Sequence, residues 1–288
     1  MPRPDAGSRA RRSADARAGT PFIVLTTPRS GSTWFLDVLG RVPGATTHTE
    51  LFLPRRKPRG ERSMSWQTAE YLDRNLRGNP LFCETGPQIA RRPWSVFAYL
   101  DDVYGRPGVV GFKIMYANLV RYPELWAYVV TRRVRVLHLV RSNLLDVVVS
   151  EHVRETTRTA HRIAGEPELA IEPMRIDPVD LVARVRWMRR RIRAVRTLLR
   201  ASLVRRLEVT YEALVREPRT FERVCDFLSL ERPDVLPASH LEKLVKRPAS
   251  EILRNYDEVA RALDAAGLAS AHRDEGDGGA PRLRGSWR

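Results

Sequence analysis

The 288-residue chain is 43% hydrophobic, enough to bury one sizeable core, and its length suits a single large domain. Lys and Arg total 50 against 34 Asp and Glu, a net charge of +16, but only Lys57, Lys113, Lys243 and Lys246 are lysines and the arginines are spread along the chain. That spread argues for solvated basic faces, and without aromatic interleaving or zinc-finger spacing it argues against a specific nucleic-acid binder.

Cys83 and Cys225 are too few and too far apart for a disulfide framework. No apolar run approaches the roughly 20 residues of a membrane span, and no apolar segment follows the first arginines, so a soluble, cytoplasmic protein is expected. Residues 1–20, rich in Arg, Ala, Ser and Gly, are expected to be disordered. The folded domain is expected over 21–265, and 266–288 is read as a flexible polar tail.

Phe22 to Thr26 is an apolar run of strand length, suited to a strand buried on both faces. From Ser32 the pattern turns helical through Phe35, Leu36, Val38, Leu39 and Val42, with Pro43-Gly44 as its stop. His48 and Glu50 follow in what reads as a loop, where a lone His is most simply a hydrogen-bonding surface residue. The stretch from Arg55 to Gly108 carries no assignable motif. A second strand is expected over Val109–Met115, a helix opened by Pro123, and a third strand over Val134–Val140, in which His138 reads as core.

Ser142 or Asn143 can cap the next helix, through Leu144 to Val149. The polar stretch from Glu155 to Ile176 reads as a mobile loop. Asp177-Pro178 then opens a long helix with Val182, Val185, Met188, Ile192, Val195 and Leu199 at helical spacing and an Arg-rich opposite face. A fourth strand, Arg206–Thr210, a helix opened by Pro218, and a last amphipathic helix from about Ser250 to Leu263 complete the pattern. Strands alternating with helices predict an α/β fold, a parallel sheet flanked by helices, with ligands bound beyond the carboxyl ends of the strands.

The seven residues Pro28-Arg29-Ser30-Gly31-Ser32-Thr33-Trp34 join the first strand to its helix. Such a turn presents backbone N–H groups and a helix N-terminus to an anion. Gly31 permits close approach, Arg29 adds a fixed charge, and Ser30, Ser32 and Thr33 add hydroxyls. The Gly-Lys-Ser/Thr spacing of a nucleoside triphosphatase or kinase is missing. Arg141 ends the third strand and Ser150 lies roughly two turns into the following helix, so a cation and a hydroxyl can converge there.

The loop resembles the 5′-phosphosulfate-binding loop of sulfotransferases that use 3′-phosphoadenosine 5′-phosphosulfate (PAPS). The Arg141 and Ser150 pair is similar to the second signature of that family, which grips the 3′-phosphate. The resemblance spans about Pro21 to Leu263, and the nine-residue Arg-to-Ser interval looks more like bacterial and carbohydrate-acting members than cytosolic phenol and steroid enzymes. It implies a P-loop-type sulfotransferase fold, PAPS as co-substrate without a metal, and a hydroxyl or amine acceptor on a carbohydrate, glycolipid or small natural product. It implies Arg29, Ser30, Gly31, Ser32, Thr33, Trp34, Arg141 and Ser150 as donor contacts. By the same resemblance Tyr211 is an adenine contact and Arg247 a basic residue closing over the nucleotide.

Glu50 stands where carbohydrate-acting members carry their catalytic Glu, and is expected to be the general base. Lys113, followed by Ile114 and Met115 rather than by a His two residues on, is expected to neutralise the departing group. Two other readings remain at this level: a P-loop kinase-like phosphotransferase, which ATP turnover would favour, and a polyanion-binding protein without catalysis, which salt-dependent heparin or DNA binding would favour. Oligomeric state is not readable from the sequence.

Overall fold

The protein is described by a computed structural model over residues 19–52, 92–159 and 162–272. Disorder is expected from the sequence over residues 1–20, but Thr20 already belongs to the first strand; residues 1–18, the stretch holding Lys57 and Cys83, and the end of the tail from 273 lie outside the described residues.

Strand β1 (Thr20–Thr26) leads through a turn into helix α1 (Ser32–Leu39), and β2 (Ala45–Glu50) follows. Then come α2 (Arg92–Tyr104), β3 (Val109–Met115), α3 (Tyr116–Arg121), α4 (Pro123–Thr131), β4 (Arg135–Val140) and α5 (Leu144–Thr157). The remainder is β5 (Arg162–Ile163), α6 (Pro178–Ala201), β6 (Arg206–Thr210), α7 (Tyr211–Arg216), α8 (Pro218–Leu228), β7 (Leu241–Glu242), α9 (Ala249–Ile252) and α10 (Tyr256–Ala265).

The five-stranded sheet runs in the order β2-β3-β1-β4-β6, and every neighbouring pair is parallel. The expected α/β architecture, a parallel sheet flanked by helices, is thus the one observed. Side chains alternate across β1: Ile23 and Leu25 join one core cluster, with residues of α2, α4, α5, α6 and α10, while Phe22 and Val24 join the other, with α1 and α8. The same alternation in β4 sends Val136 and Val140 one way and Leu137 and Leu139 the other. Strands buried on both faces need apolar residues at every position, which is why β1, β3 and β4 are legible as continuous apolar runs.

The differences from the sequence expectation have local causes. Among the described residues strand β2, Ala-Thr-Thr-His-Thr-Glu, sits at the sheet edge and pairs only with β3, so no apolar run or alternation announces it. Helix α1 stops at Leu39 instead of running to Pro43, because Gly40 closes onto Leu36 and the Thr47 hydroxyl of β2 also donates to the Leu36 carbonyl at 2.9 Å. In α6, Leu181 rather than Val182 is buried, with Val185, Met188, Ile192, Val195 and Leu199 as expected.

The final amphipathic stretch is two helices. Between them the backbone turns to bond the segment before α6: Met174 N–H donates to Ile252 and Arg254 N–H to Met174, each at 2.9 Å. That segment, read as a mobile loop, is tied down a second time where β5 pairs antiparallel with β7. Beyond α10, Leu268 and Ala271 are buried in the larger core cluster, so packing continues past Ala265. Among the described residues no helix is long and apolar enough to cross a membrane.

Candidate active site

In the strand order, β1 lies between β3, reached by returning from the edge, and β4, on its other side. The order reverses there, and crevices at such switch points beyond the carboxyl ends are where open α/β sheets bind ligands. A cavity of about 570 Å³ opens at this place, lined by residues of the β1–α1 turn, Glu50, Lys113, Met115, Arg141, one face of α5, Tyr211 and the segment around β7. It lies within the size range of small-molecule and nucleotide sites.

The turn is built by two left-handed residues, Arg29 (φ 61°) and Gly31 (φ 80°). Gly31 is the N-cap of α1, and no side chain caps that helix end. The first amides of α1 thus lack intrahelical acceptors at the cavity wall, where Gly31 to Trp34 all contribute. Thr26 anchors the turn from below, its hydroxyl donating to the Leu139 carbonyl at 2.8 Å and lying 2.6 Å from the Ser30 hydroxyl. Ser30 is fully buried and does not line the cavity. Its side chain fastens the loop.

Arg29 Nε donates to the Ser150 hydroxyl at 3.0 Å, joining the two segments singled out from the sequence. Burial, then the nearby Arg154 and Arg141 charges, lower the Arg29 pKa to about 10. Like charges acting on one buried guanidinium at the cavity wall are relieved by an anion placed among them. Arg141 donates to the Arg29 carbonyl at 3.2 Å and to the Asp146 carboxylate at 2.8 Å, and lies 4.9 Å over the Tyr211 ring. Tyr211 in turn covers Gly31 and meets Trp34 edge-on at 5.8 Å.

At the β2–β3 side the register pairs Glu50 with Lys113, and their side chains form an ion pair at 2.8 Å. The buried Lys113 also donates to the Thr33 hydroxyl at 2.8 Å, tying this pair to α1. Ser32 lines the cavity. Arg247 lines it too, with its guanidinium donating to the Ile171 carbonyl. His48 is buried on β2 rather than in a loop, and His138 is fully buried, as read.

Sequence reasoning missed Arg154, Lys243 and Asp146, which also line the cavity. Arg154 stands one helical turn beyond Ser150, so the i, i+4 rule applied to α5 could have found it. Asp146 accepts from both Arg141 and Lys243, the latter at 3.3 Å. Lys243 follows β7 directly, and nothing local in the sequence announces that β5 will bring it here. In all, six cationic side chains face four carboxylates around the cavity. The arrangement can hold a ligand carrying more than one anionic group, with a carboxylate and an ammonium beside it.

No family model matches the chain, and no curated protein matches it. Among solved structures it is similar to the sulfotransferase domain of the Synechococcus PCC 7002 olefin synthase, at 20% identity over 86% of this chain and 88% of that one, with a TM-score of 0.44. It is also similar to a sulfotransferase from Alicyclobacillus acidocaldarius, at 15% identity over 89% and 97% of the two chains and a TM-score of 0.42. A sulfotransferase domain from the curacin biosynthetic pathway aligns at 16% identity over 93% and 95%, with a TM-score of 0.45.

Proposed function

We propose that the chain is a sulfotransferase that moves a sulfuryl group from PAPS to a hydroxyl or amine of a carbohydrate, glycolipid or small natural product, acting in the cytoplasm through a catalytic unit over residues 21–265. The observation that carries the reading is the meeting of Arg29, Arg141 and Ser150 at one cavity wall. Two stretches more than 100 residues apart, each resembling a sulfotransferase signature, supply one cationic site beside an uncapped helix end.

In this reading the α1 amides and Arg29 hold the 5′-phosphosulfate, and Arg141 with Ser150 holds the 3′-phosphate. Tyr211, with Trp34 at its edge, flanks the adenine, and Arg247 closes the far side. The acceptor attacks sulfur in line, its oxygen or nitrogen forming the new bond to sulfur as the bond to the phosphate oxygen breaks. Glu50 takes the acceptor's proton, and Lys113 balances the charge that gathers on the departing bisphosphate.

Calorimetric binding of 3′-phosphoadenosine 5′-phosphate, beside ATP and AMP, tests this. Preference for the 3′-phosphorylated nucleotide is expected. Arg141→Ala should weaken it by about 10- to 100-fold, the worth of a charge-assisted hydrogen bond. Equal binding of ATP would overturn the assignment.

A further inference from the structure

A second cavity, of about 750 Å³, lies on the other side of Arg141. It is framed by the ends of β4 and β6, by Glu212 to Glu217 around α7, by Ala269–Ala271, and by the face of α6 that carries Arg189, Arg193 and Arg196. Its charges are unevenly matched. Arg196 is held by the Glu208 carboxylate through Nε and Nη2, at 2.8 to 3.2 Å. Glu212 accepts from the Ser142 and Asn143 amides at 3.1 and 3.3 Å, and Glu217 from the Thr220 hydroxyl at 3.1 Å.

Arg189, by contrast, donates only to the Gly267 carbonyl, at 3.3 Å, and Arg193 has no carboxylate partner among the described residues. The two stand one turn apart on the same helix face, an arrangement of like charges that weakens a helix unless something between them neutralises it. Arg141, which lines this cavity as well, keeps a buried Nε with no hydrogen-bond acceptor, 3.6 Å from Glu212. The planar guanidinium fork offers several donors to the oxygens of a tetrahedral oxyanion, and Arg189 and Arg193 line this cavity without a carboxylate partner among the described residues.

We propose that this cavity is a second oxyanion site, which holds the phosphate or sulfate group of a small molecule between Arg189 and Arg193. The site lies between β4 and β6, whereas Glu50 and Lys113 lie beyond β1 on β2 and β3. It is therefore separate from the reacting end of any acceptor, and it does not rest on the identity of the donor.

The test titrates inorganic phosphate and, separately, glycerol 3-phosphate into the full chain, followed by phosphorus NMR, in an Arg29→Ala background that weakens anion binding at the first cavity. Removing Arg189 and Arg193 together, as Arg189→Ala/Arg193→Ala, should weaken binding of one or both probes at least tenfold. The tighter probe tells a free anion from an ester. Arg186→Ala/Arg190→Ala removes the same charge from exposed positions outside the cavity and should leave binding unchanged. Equal losses in the two double variants would reduce the effect to net charge and overturn the proposal, as would no binding in the background protein. Should the first double variant fail to fold by circular dichroism, Arg193→Ala alone, at an exposed position, carries the same comparison. Failure of the donor reading would register elsewhere, in the 3′-phosphate preference of the wild type.

Discussion

Gly31 carries a constraint no other residue type meets. Its φ of 80° is left-handed, and a Cβ there would lie 2.2 Å from the Tyr211 ring. The missing side chain lets Tyr211 lie on the turn, and Arg141 rests over that ring, 4.9 Å from its centroid. Gly31→Ala adds about 1–2 kcal/mol of left-handed strain and a clash that must move Tyr211. Binding of 3′-phosphoadenosine 5′-phosphate should fall more than tenfold by calorimetry, with a smaller effect on melting temperature, since Tyr211 packs against the smaller core cluster without being one of its buried members. Ser30 shows the opposite case: a hydroxyl in the β1–α1 turn that points inward to Thr26 and shapes the loop instead of lining the cavity.

At the scale of elements, α5 delivers both Ser150 and Arg154, and its start is set by Asn143, whose side-chain oxygen accepts from the Asp146 amide at 3.0 Å. Asp146 is thus fixed by the cap and in turn holds Arg141 and Lys243. Asn143→Ala should cost about 0.5–2 kcal/mol, the usual worth of such a cap, read as a shift in the urea midpoint with unchanged slope. It should also weaken binding of 3′-phosphoadenosine 5′-phosphate, because the first turn of α5 is where the cation holders sit. An equivalent cap operates on α6, where Asp177 accepts from the Val179 amide at 2.8 Å.

At the scale of the whole molecule, a polar chain runs over one face of the sheet, from the buried Tyr116 and His138 out to the part-exposed Glu208 and Arg196. The Tyr116 hydroxyl and His138 Nε2 are 2.5 Å apart, and His138 Nδ1 is 2.9 Å from the Glu208 carboxylate, which also binds Arg196. The β4–β6 register places His138 opposite Glu208. The hydrogen bond from His138, reinforced by Arg196, holds the Glu208 carboxyl at about 2, below the ordinary 4.5. A carboxyl with a depressed folded-state pKa stabilises the fold above its unfolded value and loses that contribution as pH falls through the folded value. Stability should therefore decline as pH falls from about 4.5 toward about 2. In Glu208→Gln this acid limb should be shallower and the neutral-pH stability lower, as measured by urea unfolding across the pH series. Tyr116 takes no part as an acid, since burial pushes its phenol beyond the usual range.

By itself the sequence determined what local patterning can carry. Apolar runs marked β1, β3 and β4, capping residues and Pro opened α5 and α6, and a seven-residue stretch marked the turn between β1 and α1, because each depends only on neighbours along the chain. The tertiary structure alone decided the rest. Strand β2 exists through pairing with β3, not through its own polar residues, and that pairing sets Glu50 against Lys113. Lys243 reaches the cavity because β7 pairs with β5. The burial of Ser30 and the two faces of Arg141 follow from the order in which five strands lie side by side. Periodicity encodes which residues turn inward, but only the packed sheet decides which residues meet.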